Sequence, residues 1–143
     1  MTEGAERVWD VVHTIDEWYD GPRAGSAEYL GQPVWYRSVY LDNPNKYDHD
    51  ENRFELSPLP REALDWHLEL DAIFKRWDSA LKERNLIWET GDEDSFGALP
   101  EEMERYRELR KKIDTILSER EPKIVARGNF DEAFRRVQWI LVR

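Results

Sequence analysis

Eight consecutive residues in the first third of the chain bring two aromatic rings, an acid and an arginine to a glycine-proline turn. They read Trp18-Tyr19-Asp20-Gly21-Pro22-Arg23-Ala24-Gly25. Glycine permits positive φ angles and close backbone approach. Asp20 and Arg23 can pair across the turn or bind a ligand through charge-assisted hydrogen bonds. The residues fit either a structural turn braced by an Asp–Arg pair or a binding loop, because loops carry function disproportionately.

A second pair of rings, Trp35 and Tyr36, follows on the next predicted hairpin arm. Alternation along a strand places the two rings on opposite faces, so one belongs to the core and the other is available for binding. We therefore predict a shallow recognition surface for a ligand or partner. It is lined by Trp18, Tyr19, Asp20, Arg23 and Tyr36.

The other polar clusters lack the spacing that metal binding or catalysis requires. Asp48-His49-Asp50-Glu51-Asn52 resembles a calcium loop, but its sixth and twelfth positions are Arg53 and Leu59 instead of Gly and Glu. The three His residues show no zinc-ligand spacing, and there is no Cys. The common nucleophile and phosphate-binding motifs are also absent from the sequence. We expect no metal and no cofactor, and we favour a protein that is not an enzyme.

The chain is rich in aromatic residues and in acids. It contains seven Trp, six Tyr and five Phe, and 31 acidic against 21 basic residues give a net charge of −10. Residues 1–59 alone carry five basic and twelve acidic side chains. Aromatic side chains dominate cores and interfaces, whereas nucleic-acid binders usually show a basic patch. The composition favours binding of a protein or a small molecule and argues against direct nucleic-acid binding.

Neither the first residues nor the apolar runs indicate a membrane or an export signal. The start, MTEGAERVWD, has no basic segment followed by an apolar run. The longest apolar runs, such as Trp139–Val142, have four residues, far fewer than a membrane span needs. We therefore expect a cytoplasmic location and no membrane contact.

Strand patterns occupy both ends of the chain. Val8–Ile15 alternates with period two, and Ser26–Leu30 and Val34–Leu41 flank the short turn Gly31-Gln32-Pro33. Phe54-Glu55-Leu56 is a candidate for one further short strand. Near the C-terminus, Ile124–Phe130 and Val137–Val142 are predicted as strands joined by a turn or a short helical connection.

Two helices are predicted between these strands. Pro60 and Pro100 suit first turns of helices. The first helix carries an apolar stripe that includes Trp77, and it ends near Asn85. These elements predict an α+β fold in one domain, residues 1–143. A single antiparallel sheet forms from the N- and C-terminal strands, and the helix pair packs on one face, with Trp77 buried beneath the sheet.

One set of residues in the first third of the chain resembles a family of small, acidic bacterial proteins of no known activity. The residues that carry the resemblance are Trp9-Asp10, Asp16, Tyr19–Gly25, Gly31-Gln32-Pro33, Tyr36 and Asp42. The resemblance implies a bacterial, cytosolic origin and places the glycine-proline turn within the pattern of the family. It implies no activity, cofactor or site residue.

These observations favour a non-enzymatic module that binds another protein or a small ligand. A specialised version is an acidic inhibitor or immunity-type protein that presents carboxylates to a basic partner. The alternative is a small enzyme or metabolite-binding protein with an aromatic pocket near Trp18–Arg23, which would contain a strongly perturbed titrating group.

Overall fold

A computed structural model describes residues 8–18, 21–39, 52–84, 96–119 and 124–142. The chain divides into two compact units. A sheet unit comprises residues 1–61 and 120–143, and a helical unit comprises residues 62–119. The prediction of one domain over residues 1–143 stays a prediction.

The sheet unit contains seven antiparallel strands in one sheet. Their spatial order is β1-β7-β6-β5-β4-β3-β2. The strands are β1 (Asp10–Val11), β2 (Glu17–Trp18), β3 (Pro22–Tyr29), β4 (Gln32–Ser38), β5 (Arg53–Pro58), β6 (Ile124–Phe130) and β7 (Arg136–Leu141). The single antiparallel sheet built from both ends of the chain is thereby confirmed, and it includes the predicted strands around Val11, Val34 and Val137.

The sheet is curled, and one segment, residues 10–18, pairs with β7 on one side and with β3 on the other. At the start of this segment Asp10 is opposite Val137 of β7. Further along, Val12 forms a bridge with Ala27 of β3, and the amide of Asp16 donates to the carbonyl of Ala24 at 2.7 Å. A sheet closed in this way exposes fewer unpaired backbone groups, because closure removes edges.

Aromatic rings fill the interior of the curled sheet. Tyr36, Phe54 and Trp139 pack with ring centroids 5.6 to 5.9 Å apart, in tilted or edge-to-face geometry. Buried Tyr and Trp rings usually need a partner for their polar atom. The Tyr36 hydroxyl donates to the carbonyl of Thr14 at 2.8 Å, and the Trp139 indole N–H donates to the carbonyl of Glu28 at 2.9 Å. The rings therefore combine apolar packing with satisfied polar groups.

Gly25 allows the segment 10–18 to lie close against β3. A Cβ atom added at Gly25 would lie 2.8 Å from the Tyr36 hydroxyl oxygen and closer still to the carbonyl oxygen of Thr14. The hydroxyl groups of Thr14 and Ser26 are 2.9 Å apart in the same buried contact. Any side chain at position 25 would therefore separate the two strands.

The helical unit contains helices α1 (Arg61–Glu83) and α2 (Met103–Glu119), the latter preceded by a 3₁₀ turn at Pro100–Glu102. The two predicted helices are thereby confirmed. Neither described helix is long and apolar enough to cross a membrane.

The two helices are joined by a small apolar core and by ion pairs. Ile73, Ala98, Tyr106 and Leu109 form the buried cluster. On the exposed side, the guanidinium of Arg76 binds Glu102 and that of Arg105 binds Glu69, each through two hydrogen bonds. Trp77 is buried, as its stripe position predicts, and its ring centroid is 4.7 Å from that of Phe96.

Two local predictions differ from the structure. The predicted strand Val8–Ile15 is interrupted: only Asp10–Val11 is a strand, because residues 12–18 turn away from β7 to pair with β3. The predicted turn up to Gly25 is shorter than expected, since β3 begins at Pro22. Residues after Gly21 in the motif are therefore strand residues.

Candidate functional site

The structure separates the predicted recognition residues between surface and interior. Trp18 is 57% exposed, whereas Arg23 is 2% exposed and Tyr36 is fully buried. Tyr19 and Asp20 lie outside the described residues, as does the predicted Asp20–Arg23 pair. Of the three predicted residues that the structure describes, Trp18, Arg23 and Tyr36, only Trp18 presents its side chain to solvent. The binding role of the five-residue set stays a prediction.

Arg23 and Tyr36 are buried for different reasons. The guanidinium of Arg23 lies 3.3 Å from the Pro22 carbonyl oxygen and 3.5 Å from the side-chain oxygen of Asn52. Tyr36 belongs to the interior cluster of rings. Burial, and after it the charge of Asp16, raises the pKa of the Tyr36 hydroxyl far above its usual range, so this group stays protonated as a donor. Their side chains therefore do not line an exposed surface, which corrects this part of the prediction.

The exposed ring of Trp18 meets a second ring that the sequence analysis did not single out. The ring centroids of Trp18 and Phe134 are 5.0 Å apart, and their planes make an angle of 88°. Phe134 is half-buried and lies in the turn between β6 and β7. We call this ring pair the Trp18–Phe134 corner.

The backbone of Phe134 is strained. Its φ angle is +56°, in the left-handed region that favours glycine or asparagine. A non-glycine residue in this region costs about 1–2 kcal/mol, while an edge-to-face ring pair contributes about 0.5–1.5 kcal/mol beyond its buried area. The two terms are similar, so the edge-to-face geometry by itself does no more than offset the strain. A residue kept in this conformation is a candidate for function.

The turn that holds Phe134 is organised by Asp131. The Asp131 carboxylate accepts hydrogen bonds from the backbone N–H groups of Arg135 at 2.8 Å and Arg136 at 3.2 Å. The amide of Phe134 donates to the carbonyl of Asp131 at 3.0 Å. The Arg135 bond first, and then the Arg136 bond, lower the pKa of the Asp131 carboxyl. The turn is therefore ordered by its own residues, and it fixes the position of the Phe134 ring.

Acidic side chains predominate around the corner. Asp16 and Glu17 directly precede Trp18, Glu132 lies two residues before Phe134, and all three are exposed. Arg135 is the exposed base beside them. The side chain of Arg136 is directed to other groups, since it lies 3.6 Å from Asp131 and over the ring of Trp9.

The described residues do not form a metal site. No group of three or more His, Asp or Glu side chains within them could hold an ion. The Tyr36 hydroxyl, whose pKa is strongly raised, is fully buried and bonded to a backbone carbonyl, so it is not accessible to a substrate here. The enzyme alternative stays a prediction.

An open concavity lies along α2 in the helical unit. It is lined by Arg107, Arg110, Lys111, Asp114, Thr115 and Ser118. All six residues come from one helix, and the hydroxyl groups of Thr115 and Ser118 donate to backbone carbonyls of the same helix. The concavity thus resembles an ordinary charged helix face.

One feature of the loop sequence points to Phe134. The loop Asp131-Glu132-Ala133-Phe134-Arg135 joins two strands and has neither glycine nor asparagine, the residues that tight hairpins favour at left-handed positions. A large apolar residue in such a short loop conflicts with the local preference of the chain.

Comparison with other proteins adds no family to these observations. No protein-family model matches the chain, and no curated protein or solved structure matches it either. The resemblance of the first third to small acidic bacterial proteins therefore stays a prediction.

Proposed function

We propose that this chain is a non-enzymatic binding module that recognises another protein through the Trp18–Phe134 corner. The observation that carries the proposal is the strained, half-buried Phe134, which is held against a tryptophan that is 57% exposed. The arrangement places apolar rings at the surface, where the edge-to-face geometry does no more than offset the backbone strain.

Interfaces between proteins use this kind of side chain. Aromatic residues and arginine are enriched in the residues that dominate binding energy, and such residues cluster within a small part of the contact. Close to the corner in the chain, Val11 is 49% exposed and Val8 is 56% exposed. These exposed apolar groups support a contact larger than two rings.

The surrounding charge supports a finer proposal. Asp16 and Glu17 precede Trp18 in the chain, Glu132 lies two residues before Phe134, and all three are exposed. Complementary charge steers association between partners. A basic partner fits this surface, as it would for an acidic inhibitor or an immunity-type protein. The net charge of −10 favours the same class of partner.

The proposal can be tested by capture of a partner with matched variants. Tagged wild-type protein, Trp18→Ala, Phe134→Ala and Leu30→Ala are each expressed in the source cell, and the bound proteins are quantified. Leu30 is the control because it is also apolar, 62% exposed and at a positive φ angle, +50°, in a different turn. Thermal melts establish that all variants are folded.

We expect one protein to be retained by the wild type and by Leu30→Ala. Its binding should fall at least about 30-fold in Trp18→Ala and Phe134→Ala, since a central contact residue contributes about 2 kcal/mol or more. Equal retention by all four proteins would show that the corner is not the contact, and retention of no partner by any of them would count against the binding module.

A further inference from the structure

The two exposed tryptophans of the sheet unit differ in their access to a cation. The guanidinium carbon of Arg136 lies 5.8 Å from the ring centroid of Trp9, within the range of a cation–π contact. In the helical unit, Lys112 and Arg110 lie 5.1 and 5.9 Å from the rings of Trp66 and Tyr106. Among the residues that the structure describes, no cation lies over Trp18, although this ring is the most exposed of these four.

The Trp18–Phe134 corner offers exposed aromatic surface to a cation. The π system of an aromatic ring is negative over its face and positive at its edge. In an edge-to-face pair at 88° the edge of one ring covers a face of the other, so a cation would lie against ring surface that stays open, and Trp18 is 57% exposed. Asp16, Glu17 and Glu132 lie near the two rings in the chain and are exposed, and they are the carboxylates that can supply charge opposite to a bound cation.

We propose that the Trp18–Phe134 corner binds an arginine side chain of the partner, an inference that rests on the proposed function. A guanidinium is planar and weakly hydrated, so it stacks on aromatic faces more readily than the compact ammonium of lysine. The chain already uses an arginine in this way on Trp9. At the corner the partner supplies the arginine, while Glu17 and its neighbours supply the opposing charge.

Two small ligands of nearly the same shape, one charged and one neutral, test this inference. N-acetyl-arginine amide is titrated into the protein, and the Trp18 indole N–H signal is followed by nuclear magnetic resonance, assigned by its loss in Trp18→Phe. N-acetyl-citrulline amide, which has nearly the same shape but no charge, is the matched ligand. We expect weak, saturable binding of the arginine amide and at least tenfold weaker binding of the citrulline amide.

Matched variants locate the binding. Trp18→Leu should abolish the response of the remaining indole signals to the arginine amide, whereas Trp9→Leu should leave the affinity unchanged, because Arg136 already occupies that ring. Glu17→Gln should weaken binding about twofold, as expected for an exposed charge. The indole spectrum and thermal melts of each variant establish that it is folded.

Several results would overturn the inference: equal binding of both amides, binding of neither, or loss of binding in Trp9→Leu instead of Trp18→Leu. These failures differ from a failure of the proposed function. If partner capture still requires Trp18 while arginine and citrulline do not differ, the corner binds the partner through apolar contact. If capture does not require Trp18, the proposed function itself is wrong.

Discussion

Two hairpin turns of the sheet unit share the same local structure but differ in what that structure supports. In the β3–β4 turn, Leu30 has a φ angle of +50°, and in the β6–β7 turn, Phe134 has a φ angle of +56°. In each turn one aspartate accepts hydrogen bonds from two consecutive backbone N–H groups. Asp10 accepts from Leu30 and Gly31 at 3.1 and 3.2 Å, whereas Asp131 accepts from Arg135 and Arg136.

The difference lies in where each aspartate comes from and in what each apolar side chain touches. Asp10 is 7% exposed and belongs to β1, so its bonds tie a distant turn to the segment that closes the sheet. Asp131 lies within its own exposed turn. The Leu30 side chain is 62% exposed, while the Phe134 ring is held against Trp18. The comparison indicates that the first turn serves closure of the sheet and the second serves presentation of a ring.

The largest expected effect is the difference in stability between variants of the two aspartates. Asp10→Ala should lower the free energy of unfolding by about 3 kcal/mol, because it removes a buried, charged acceptor that binds two N–H groups and ties the turn to β1. Asp131→Ala should lower it by about 1 kcal/mol, since its turn is exposed to water, which can replace the lost bonds. Denaturant melts measure both values. Equal losses would contradict the assignment of closure to Asp10.

A smaller difference in stability is expected between variants of the two strained residues, Leu30 and Phe134. Leu30→Asn creates an Asn-Gly pair, which tight hairpins favour, and should raise the free energy of unfolding by about 0.5–1 kcal/mol. In Phe134→Asn the same relief is offset by loss of the ring contact with Trp18, so the net change should be close to zero. Denaturant melts of the two variants provide the measurement.

Partner capture completes this comparison. Phe134→Asn should lose the partner while Leu30→Asn retains it. If Phe134→Asn instead lowers the free energy of unfolding by several kcal/mol, Phe134 is an ordinary core residue. Its strained backbone then gives no indication of function.

The smallest expected effect is a dependence on pH in the β6–β7 turn. The backbone N–H groups of Arg135 and Arg136 lower the pKa of Asp131 in the folded chain. The stabilisation is therefore fully present above the pKa of an unperturbed aspartate, about 4, and is lost as the pH falls through the lower folded value. Amide exchange at Arg135 and Arg136 should accelerate in that acid range, measured by nuclear magnetic resonance and corrected for the intrinsic pH dependence of exchange. Asp131→Asn should remove this dependence.

Several elements could be predicted because their signals are local. The apolar residues of α1 recur every three to four positions, and prolines stand at the starts of both helical segments, so Arg61–Glu83 and the region after Pro100 follow from helix geometry. Short runs rich in β-branched and aromatic residues, such as those in β4 and β7, indicated strands in the same way.

Other features of the site depend on contacts that no local pattern contains. Alternation along β4 separates Trp35 from Tyr36, but it does not say which face is interior. Tyr36 became the core ring because Thr14, brought close by the absence of a side chain at Gly25, accepts its hydroxyl hydrogen bond. The same closure divided Val8–Ile15 between two partner strands.

By itself, the sequence determined the two helices, most strands, the acidic charge and the supply of rings, because composition and period are properties of neighbouring residues. Only the tertiary structure decided that Trp18 is exposed and meets Phe134. That meeting requires the register of β6 with β7, which sets the left-handed conformation of Phe134, and the path of residues 12–18 from β7 to β3. The second of these starts from the pairing of Asp10 with Val137 at the other end of the chain, and the free energy of such a pairing is shared over the whole sheet.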